Sequence, residues 1–291
     1  MCELIRNGFV DCTQDVKMVA MIKKTKDVVV KLKEGKPTPI MPVLFVGHGN
    51  PMNAIEDNQF SKMWVEVGSK LPRPSAIIVL SAHWVTRGSY ITAMPKPKMI
   101  YDFYGFPEEL YHVEYPAPGS PETAEQVSKM LAGMELDHEW GLDHGAWSVL
   151  TRMFPRANIP VLQMSIDYNQ SPEEEYENIK QLRSLREKGV MFIGSGNIVH
   201  NLRMARISGN PYNWAIDFDK IARDKLEERN YLDLVRYEQL GKVSKLAIPT
   251  DEHYRPMLLT LGLSYDFEHP VFFNEDIDAS SVSMRSFVMK K

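Results

Sequence analysis

Five histidines in this chain stand where small residues or turns interrupt the sequence: His48, His83, His144, His200 and His253. Neutral imidazole is the commonest protein ligand for divalent transition metals, and a mononuclear site takes about three protein ligands while leaving positions open for substrate or water. There is no HExxH pair, CxxC pair or calcium-loop motif, so any ligands must come together from distant loops. A lone histidine after a strand is more often a satisfied hydrogen-bonding residue than a ligand. Three in equivalent places, His48, His83 and His200, reverse that preference. The remaining histidines, His112, His138 and His269, lie in charged or proline-flanked contexts and are expected to face solvent.

The elements that must position these residues share one grammar. Val43 to Val46 runs into Gly47-His48-Gly49, Ala76 to Leu80 runs into Ser81-Ala82-His83, and Val190 to Ile193 runs into Gly194-Ser195-Gly196-Asn197 with His200 soon after. A short, continuous apolar run is the pattern of a strand covered on both faces of a parallel sheet. Ligands of open α/β sheets bind beyond the carboxyl ends of such strands. The fold expected is therefore α/β, a single domain with a central, largely parallel sheet flanked by helices, and a metal site at the carboxyl ends of the strands.

Further elements follow from local signals. Helical spacing of Phe60, Met63, Trp64 and Val67 predicts a helix over about 57–70, stopped by Pro72 and Pro74. Residues 89–94 and 161–166 are expected strands. Ser120-Pro121 and Ser171-Pro172 each place a capping serine before a proline at the first helical position. Residues 140–145 are expected as a loop and 146–154 as a helix, with further helices over 171–187, 212–229, 231–240 and 257–263. One or two strands close the chain within 271–289. The aromatic, proline-rich stretch from Pro95 to Gly119 is expected as an ordered excursion over the surface.

Bulk composition excludes several classes. The chain has 291 residues, 44% hydrophobic and 25% charged, as an ordinary globular protein does. A net charge of −4 gives no electrostatic case for nucleic acid, and no apolar stretch approaches the ~20 residues that span a bilayer. The two cysteines, Cys2 and Cys12, cannot form a disulfide framework for the fold. The expectation is a soluble, cytoplasmic protein without nucleic-acid or membrane partners, a monomer or small homo-oligomer. Residues 1–40, with basic stretches at Lys23–Lys26 and Lys31–Lys36, are expected as a peripheral extension in which an amphipathic helix over 14–33 is possible. Residues 41–291 are then expected as the compact domain.

Gly47-His48-Gly49-Asn50-Pro51-Met52, Ser81-Ala82-His83-Trp84, Leu142-Asp143-His144-Gly145, Gly194 to Asn201, and Glu252-His253-Tyr254-Arg255-Pro256 resemble the successive motifs of the 4,5-DOPA extradiol dioxygenase family, within the class III extradiol ring-cleaving enzymes. Tyr101 to Pro107 and Tyr115 to Gly119 are similar to its members as well. The resemblance runs from about Met41 to the carboxyl terminus. It implies a mononuclear non-haem metal centre that opens a catechol, such as L-DOPA, with O₂. It further implies His48 and His83 as ligands and His200 as the acid/base histidine, or a fourth ligand in a zinc-loaded form. Relatives of this class usually complete the set with a glutamate. Here the matching position carries His253, beside Glu252, a set that suits Zn²⁺ as well as Fe²⁺. One divalent ion per chain is implied. His144 is expected behind the ligands, or as a hydrogen-bond donor to bound oxygen or substrate. Trp84, Trp147 and Tyr254 are candidates to line a pocket for a planar ring, or are plain core. Asn50 and Asn201 are candidates to orient ligands, or to form caps and turns. Two rival readings are a zinc hydrolase acting through activated water, and a non-catalytic metal- or phenol-binding protein.

Overall fold

The computed structural model describes residues 40–206 and 208–291. The extension expected over 1–40 therefore lies, apart from Ile40, outside the described residues. Eight strands form one sheet: β1 (Val43–Gly47), β2 (Ala76–Thr86), β3 (Ser89–Thr92), β4 (Met134–Asp137), β5 (Val161–Asp167), β6 (Val190–Gly196), β7 (His269–Phe273) and β8 (Ser286–Lys290). Their order across the sheet is β4-β3-β5-β2-β6-β1-β8-β7. The central four, β5-β2-β6-β1, are mutually parallel. β3 is antiparallel to β5, and β8 is antiparallel to β1 and β7, so strands of opposite direction flank the parallel core.

β1, β2 and β6 begin as unbroken apolar runs because both faces are buried, whereas β5 places Gln163, Ser165 and Asp167 among its apolar residues; the apolar side chains alternate between two cores. Val43, Phe45, Ile78, Leu80 and Phe192 point to one face, together with Ala124, Ile179, Phe218 and Leu258. Leu44, Val46, Ile77, Val79, Met191 and Ile193 point to the other, against Trp64, Trp147 and Leu150. Helices of eight or more residues cover these faces: α1 (Gln59–Gly68), α2 (Pro121–Met130), α3 (His144–Met153), α4 (Pro172–Ile179), α5 (Asn213–Glu227) and α6 (Arg255–Leu263). Phe192 is fully buried in the middle of the sheet, and burying a side chain of that kind contributes about 1.5–3 kcal/mol.

Start signals behave as their chemistry requires. The Ser120 hydroxyl accepts from the Thr123 N–H at the head of α2, and Ser171 with Glu174 forms a reciprocal capping box at α4. The helix expected over 231–240 is α-helical only over Tyr231–Val235, with a 3-10 turn at Tyr237–Gln239, and two further boundaries differ from expectation. The stretch expected as one helix to residue 187 is α-helical only to Ile179 and continues as a 3-10 helix over Lys180–Lys188, closed by Gly189 in the left-handed region at φ 87°. The loop expected at 140–145 is cut short, because the Asp143 carboxylate accepts from the Ala146 N–H and starts α3 at His144. His112, His138 and His269 are exposed, as expected. Among the described residues no helix is long and apolar enough to cross a membrane.

Candidate metal centre

His48 leaves the sheet one residue beyond β1. His200 follows the end of β6, where its N–H donates to the Ala247 carbonyl and its backbone bridges to Val282. β6 lies between β1 and β2, with Ser195 opposite Val46 on one side and Ser81 on the other. His83 is still within β2, but the register against β5 breaks there. Five steps along β2, from Leu80 to Val85, span two along β5, from Met164 to Ile166. A bulge of this kind re-aims the side chains it carries. His144 sits in the first turn of α3, and His253 in the turn ahead of α6.

Gly194 and Gly196 make room for that last turn. A Cβ on Gly196 would fall 2.1 Å from the His253 carbonyl, and one on Gly194 would fall 2.4 Å from the Pro256 carbonyl. With neither present, the Asn197 N–H donates to the His253 carbonyl at 2.8 Å, and His253 is drawn over the strand ends.

The five imidazoles form one continuous cluster. Ring centroids lie 5.1 Å apart for His48 and His83, 5.4 Å for His48 and His253, 5.0 Å for His83 and His253, and 3.9 Å for His83 and His144. His200 stacks on His253 at 3.5 Å with an 11° tilt. Ligand atoms of His48, His83 and His144 lie within 4.8 Å of one another, and so do those of His200, Glu252 and His253.

Hydrogen bonding settles which nitrogens are free. The Ser195 hydroxyl has one proton and donates it to the Gly145 carbonyl at 2.5 Å. Its contact with His48 Nδ1 at 3.0 Å must therefore be accepted from a ring N–H, which leaves a bare lone pair on His48 Nε2. His83 Nδ1 lies 3.2 Å from Asp102 Oδ2, and a carboxylate only accepts, so His83 Nε2 is bare too. His253 Nδ1 lies 3.1 Å from Glu252 Oε1, with the same result. Yet His48 Nε2 and His83 Nε2 face each other at 3.2 Å. With both rings neutral and protonated on the far nitrogen, two lone pairs meet there, an arrangement that a shared proton or a bound cation between them relieves. Two imidazoles at a metal–nitrogen distance near 2.05 Å would stand about 2.9–3.4 Å apart at octahedral to tetrahedral angles. The pair fits a divalent ion; the third imidazole with a ligand atom within 4.8 Å of both is that of His144, whereas His253 groups with His200 and Glu252.

Electrostatics agree with neutral ligands. Burial, reinforced by the neighbouring histidines, pushes His48 and His253 well below the usual histidine range. Burial also lowers His144, with His83 adding to the effect, and brings His200 down to about 4. His83 differs. Burial alone would lower it, but the Asp102 contact and the charges of Asp143 and Glu252 outweigh that and raise it. Asp102, despite burial, is held well below the carboxylate range by His144 and His83. The site opens on the side of His83 and Asp102, whose side chains are 18% and 20% exposed, whereas His48 is 1% exposed and forms the floor.

The five residues offered as substrate contacts make other contacts in the fold, although the Asn201 side-chain oxygen has no hydrogen-bond partner among the described residues. Tyr254 is a core residue, packed on Phe218 and Tyr237, and its hydroxyl donates to the Leu234 carbonyl. Trp84, next along the strand from His83, is buried and stacks on Trp140. The Trp147 indole donates to the Ile100 carbonyl, and its ring backs Tyr101 and Phe103, of which Phe103 meets the His144 ring. Asn50 is exposed and accepts from the Met52 N–H as a cap. Asn201 donates to the Leu246 carbonyl. Sequence reasoning missed Ser195, Asp102 and Asn53, whose amide donates to the His48 carbonyl at 3.0 Å.

The comparisons with known proteins agree with this arrangement. Residues 42–284 match the family described as the catalytic LigB subunit of aromatic ring-opening dioxygenase. A 4,5-DOPA dioxygenase extradiol of Escherichia coli K12 is 44% identical over 255 residues, covering 84% of this chain and 93% of that protein. A 4,5-DOPA dioxygenase extradiol of Beta vulgaris is 34% identical over 264 residues, covering 87% and 98%. The crystal structure of an uncharacterized protein from Escherichia coli K12 superposes with a TM-score of 0.75 at 41% identity, covering 86% of this chain and all of that one.

Proposed function

Because the chain belongs to the family of the catalytic LigB subunit of aromatic ring-opening dioxygenases, we propose that residues 41–291 form an extradiol dioxygenase domain that opens a DOPA-like catechol. A single divalent ion, Fe²⁺ in the active form and Zn²⁺ as an alternative occupant, would be held by His48, His83 and His253. The observation that carries this reading is the approach of the His48 and His83 Nε2 atoms to 3.2 Å, with His48 Nδ1 bonded to the Ser195 hydroxyl and His83 Nδ1 3.2 Å from the Asp102 carboxylate on the far sides of the rings. When bound, such an ion supplies charge stabilisation and adjacent open positions that orient the two catechol oxygens and O₂.

The chain's own residues do the rest. Glu252, which accepts from Thr250 at 2.9 Å, is turned to the back of His253 and fixes that ring, so it supports a ligand where relatives of this class use a carboxylate directly. His200 is neutral at physiological pH and stacks on His253, so its free nitrogen is available to take a proton from a catechol hydroxyl and return it as the ring opens. His144 stands beside His83 with Phe103 against its ring, placed to hold a substrate oxygen. The buried floor at His48 keeps bulk water from that side. One O₂ and one catechol give one ring-opened product that retains both oxygen atoms, so no external reductant is consumed.

The test is anaerobic reconstitution with Fe²⁺, followed by O₂ and a catechol panel that includes L-DOPA. A yellow product carrying both atoms of ¹⁸O₂ supports the reading. A product labelled from water, or none from any catechol, overturns it.

A further inference from the structure

Asp102 reaches the histidine cluster from the aromatic excursion between β3 and β4, a segment with no other polar side chain in the site. It spends both carboxylate oxygens there. Oδ2 lies 3.2 Å from His83 Nδ1. Oδ1 lies 2.9 Å from His144 Nδ1 and also accepts the backbone N–H of His144 at 3.0 Å. A carboxylate has no proton to give, so a ring nitrogen held against it carries its own; His83 Nδ1 and His144 Nδ1 both lie at that distance, although the His144 contact is off the line of a well-aligned hydrogen bond. We infer that Asp102 is the positioning residue that fixes His83 and His144 together in the tautomer whose Nε2 is bare, one carboxylate setting a ligand of the cation and the imidazole that stands beside it. This rests on the reading of the cluster as a divalent-metal site.

The geometry makes the inference sharper than a general supporting role. In Asp102→Asn the amide oxygen must stay at the Oδ1 position, because the His144 backbone N–H points at it. The amide NH₂ then replaces Oδ2 and donates to His83 Nδ1. His83 must move its proton to Nε2, where it can be given to His48 Nε2, 3.2 Å away. The ligand lone pair is lost. In Asp102→Ala nothing donates to His83 Nδ1, and that partly exposed ring remains free to adopt the binding tautomer. The isosteric variant is therefore the more damaging one. Were Asp102 only a structural prop, the order would be the reverse.

The experiment is chelator competition for Zn²⁺ and Fe²⁺ by wild type, Asp102→Ala and Asp102→Asn, with folding checked by circular dichroism. Loss of a group that orients a metal ligand costs about 10–100-fold in affinity. The alanine variant is expected within that range and the asparagine variant at least a further tenfold weaker. Asparagine equal to or tighter than alanine overturns the inference. ¹⁵N NMR of the metal-free wild-type protein at alkaline pH gives a second test that needs no variant. His83 and His144 should both show an unprotonated Nε2, and a protonated Nε2 on His83 overturns the proposal. A wild-type protein that takes up neither metal refutes the metal reading instead, whatever the tautomers are.

Discussion

Replacing Ser195 with alanine removes one oxygen and disturbs its two partners. The hydroxyl is fully buried, donates to the Gly145 carbonyl at 2.5 Å and accepts from His48 Nδ1 at 3.0 Å. Its loss leaves a carbonyl and a ring N–H without partners inside the protein, each at about 1–3 kcal/mol, for a gross loss of about 2–6 kcal/mol. Part of this is recovered in the metal-free protein. Released from Ser195, His48 can shift its proton to Nε2 and donate to His83 Nε2 at 3.2 Å, a bond that returns about 0.5–1.5 kcal/mol. The net expectation is about 1–5 kcal/mol lower stability, with metal affinity reduced about 10–100-fold because the shift consumes the ligand lone pair. Urea unfolding with chelator present measures the first quantity, and competition titration measures the second. Ser148 supplies the control, since it is equally buried but its hydroxyl has no hydrogen-bond partner. Ser148→Ala should change stability by no more than about 0.5 kcal/mol and leave affinity alone. If Ser195→Ala binds metal as tightly as wild type, the tautomer argument for His48 is wrong.

His253→Ala should hold less than one equivalent of metal by elemental analysis while His144→Ala holds a full one, and the opposite result would move the third ligand to His144. His200→Ala should retain its metal and lose turnover by about 10²-fold or more, and near-normal turnover would remove it as the acid/base group. Acid should destabilise the metal-free protein. His48, His144, His200 and His253 have folded pKa values below the unfolded value near 6.5, so the unfolded chain binds more protons as pH falls through that value toward about 4. His83, raised in the fold, contributes in the other sense, with stability present below 6.5 and lost as pH rises through its folded pKa. Urea midpoints measured across pH should therefore fall on acidification, and a flat profile from pH 7 to 4 would contradict the burial of four neutral imidazoles. Arg186→Ala should cost about 3–5 kcal/mol of stability in thermal unfolding, because it strands the buried Glu268 carboxylate that Arg186 holds bidentately.

The sheet was readable from sequence because β1, β2 and β6 each begin with a continuous apolar run, a pattern that both covering layers impose. The positions of His48, His83 and His200 after those runs followed from the same logic. Asp102 was not readable as a site residue. It acts on His144 from 42 residues away, and nothing in Tyr101-Asp102-Phe103 distinguishes that carboxylate from one facing solvent. Ser195 stood out in sequence only as one of the small residues that follow an apolar run. Its flanking glycines serve the close approach of the His253 turn, a tertiary fact with no local sequence signal. The aromatic residues Trp84, Trp147 and Tyr254 illustrate the opposite difficulty. Their type suits a ring-binding wall and a packed core equally, and packing on Trp140, on Tyr101 and Phe103, and on Phe218 and Tyr237 engages each of them.

Stepwise addition of Fe²⁺ to the anaerobic apoprotein, with O₂ uptake recorded on a saturating catechol after each addition, tests the central claim most directly. Uptake should rise linearly and stop at one iron per chain, with one O₂ consumed per ring opened. Uptake that is absent at every ratio, or that keeps rising past one equivalent, would mean that these lone pairs do not gather a single working ion.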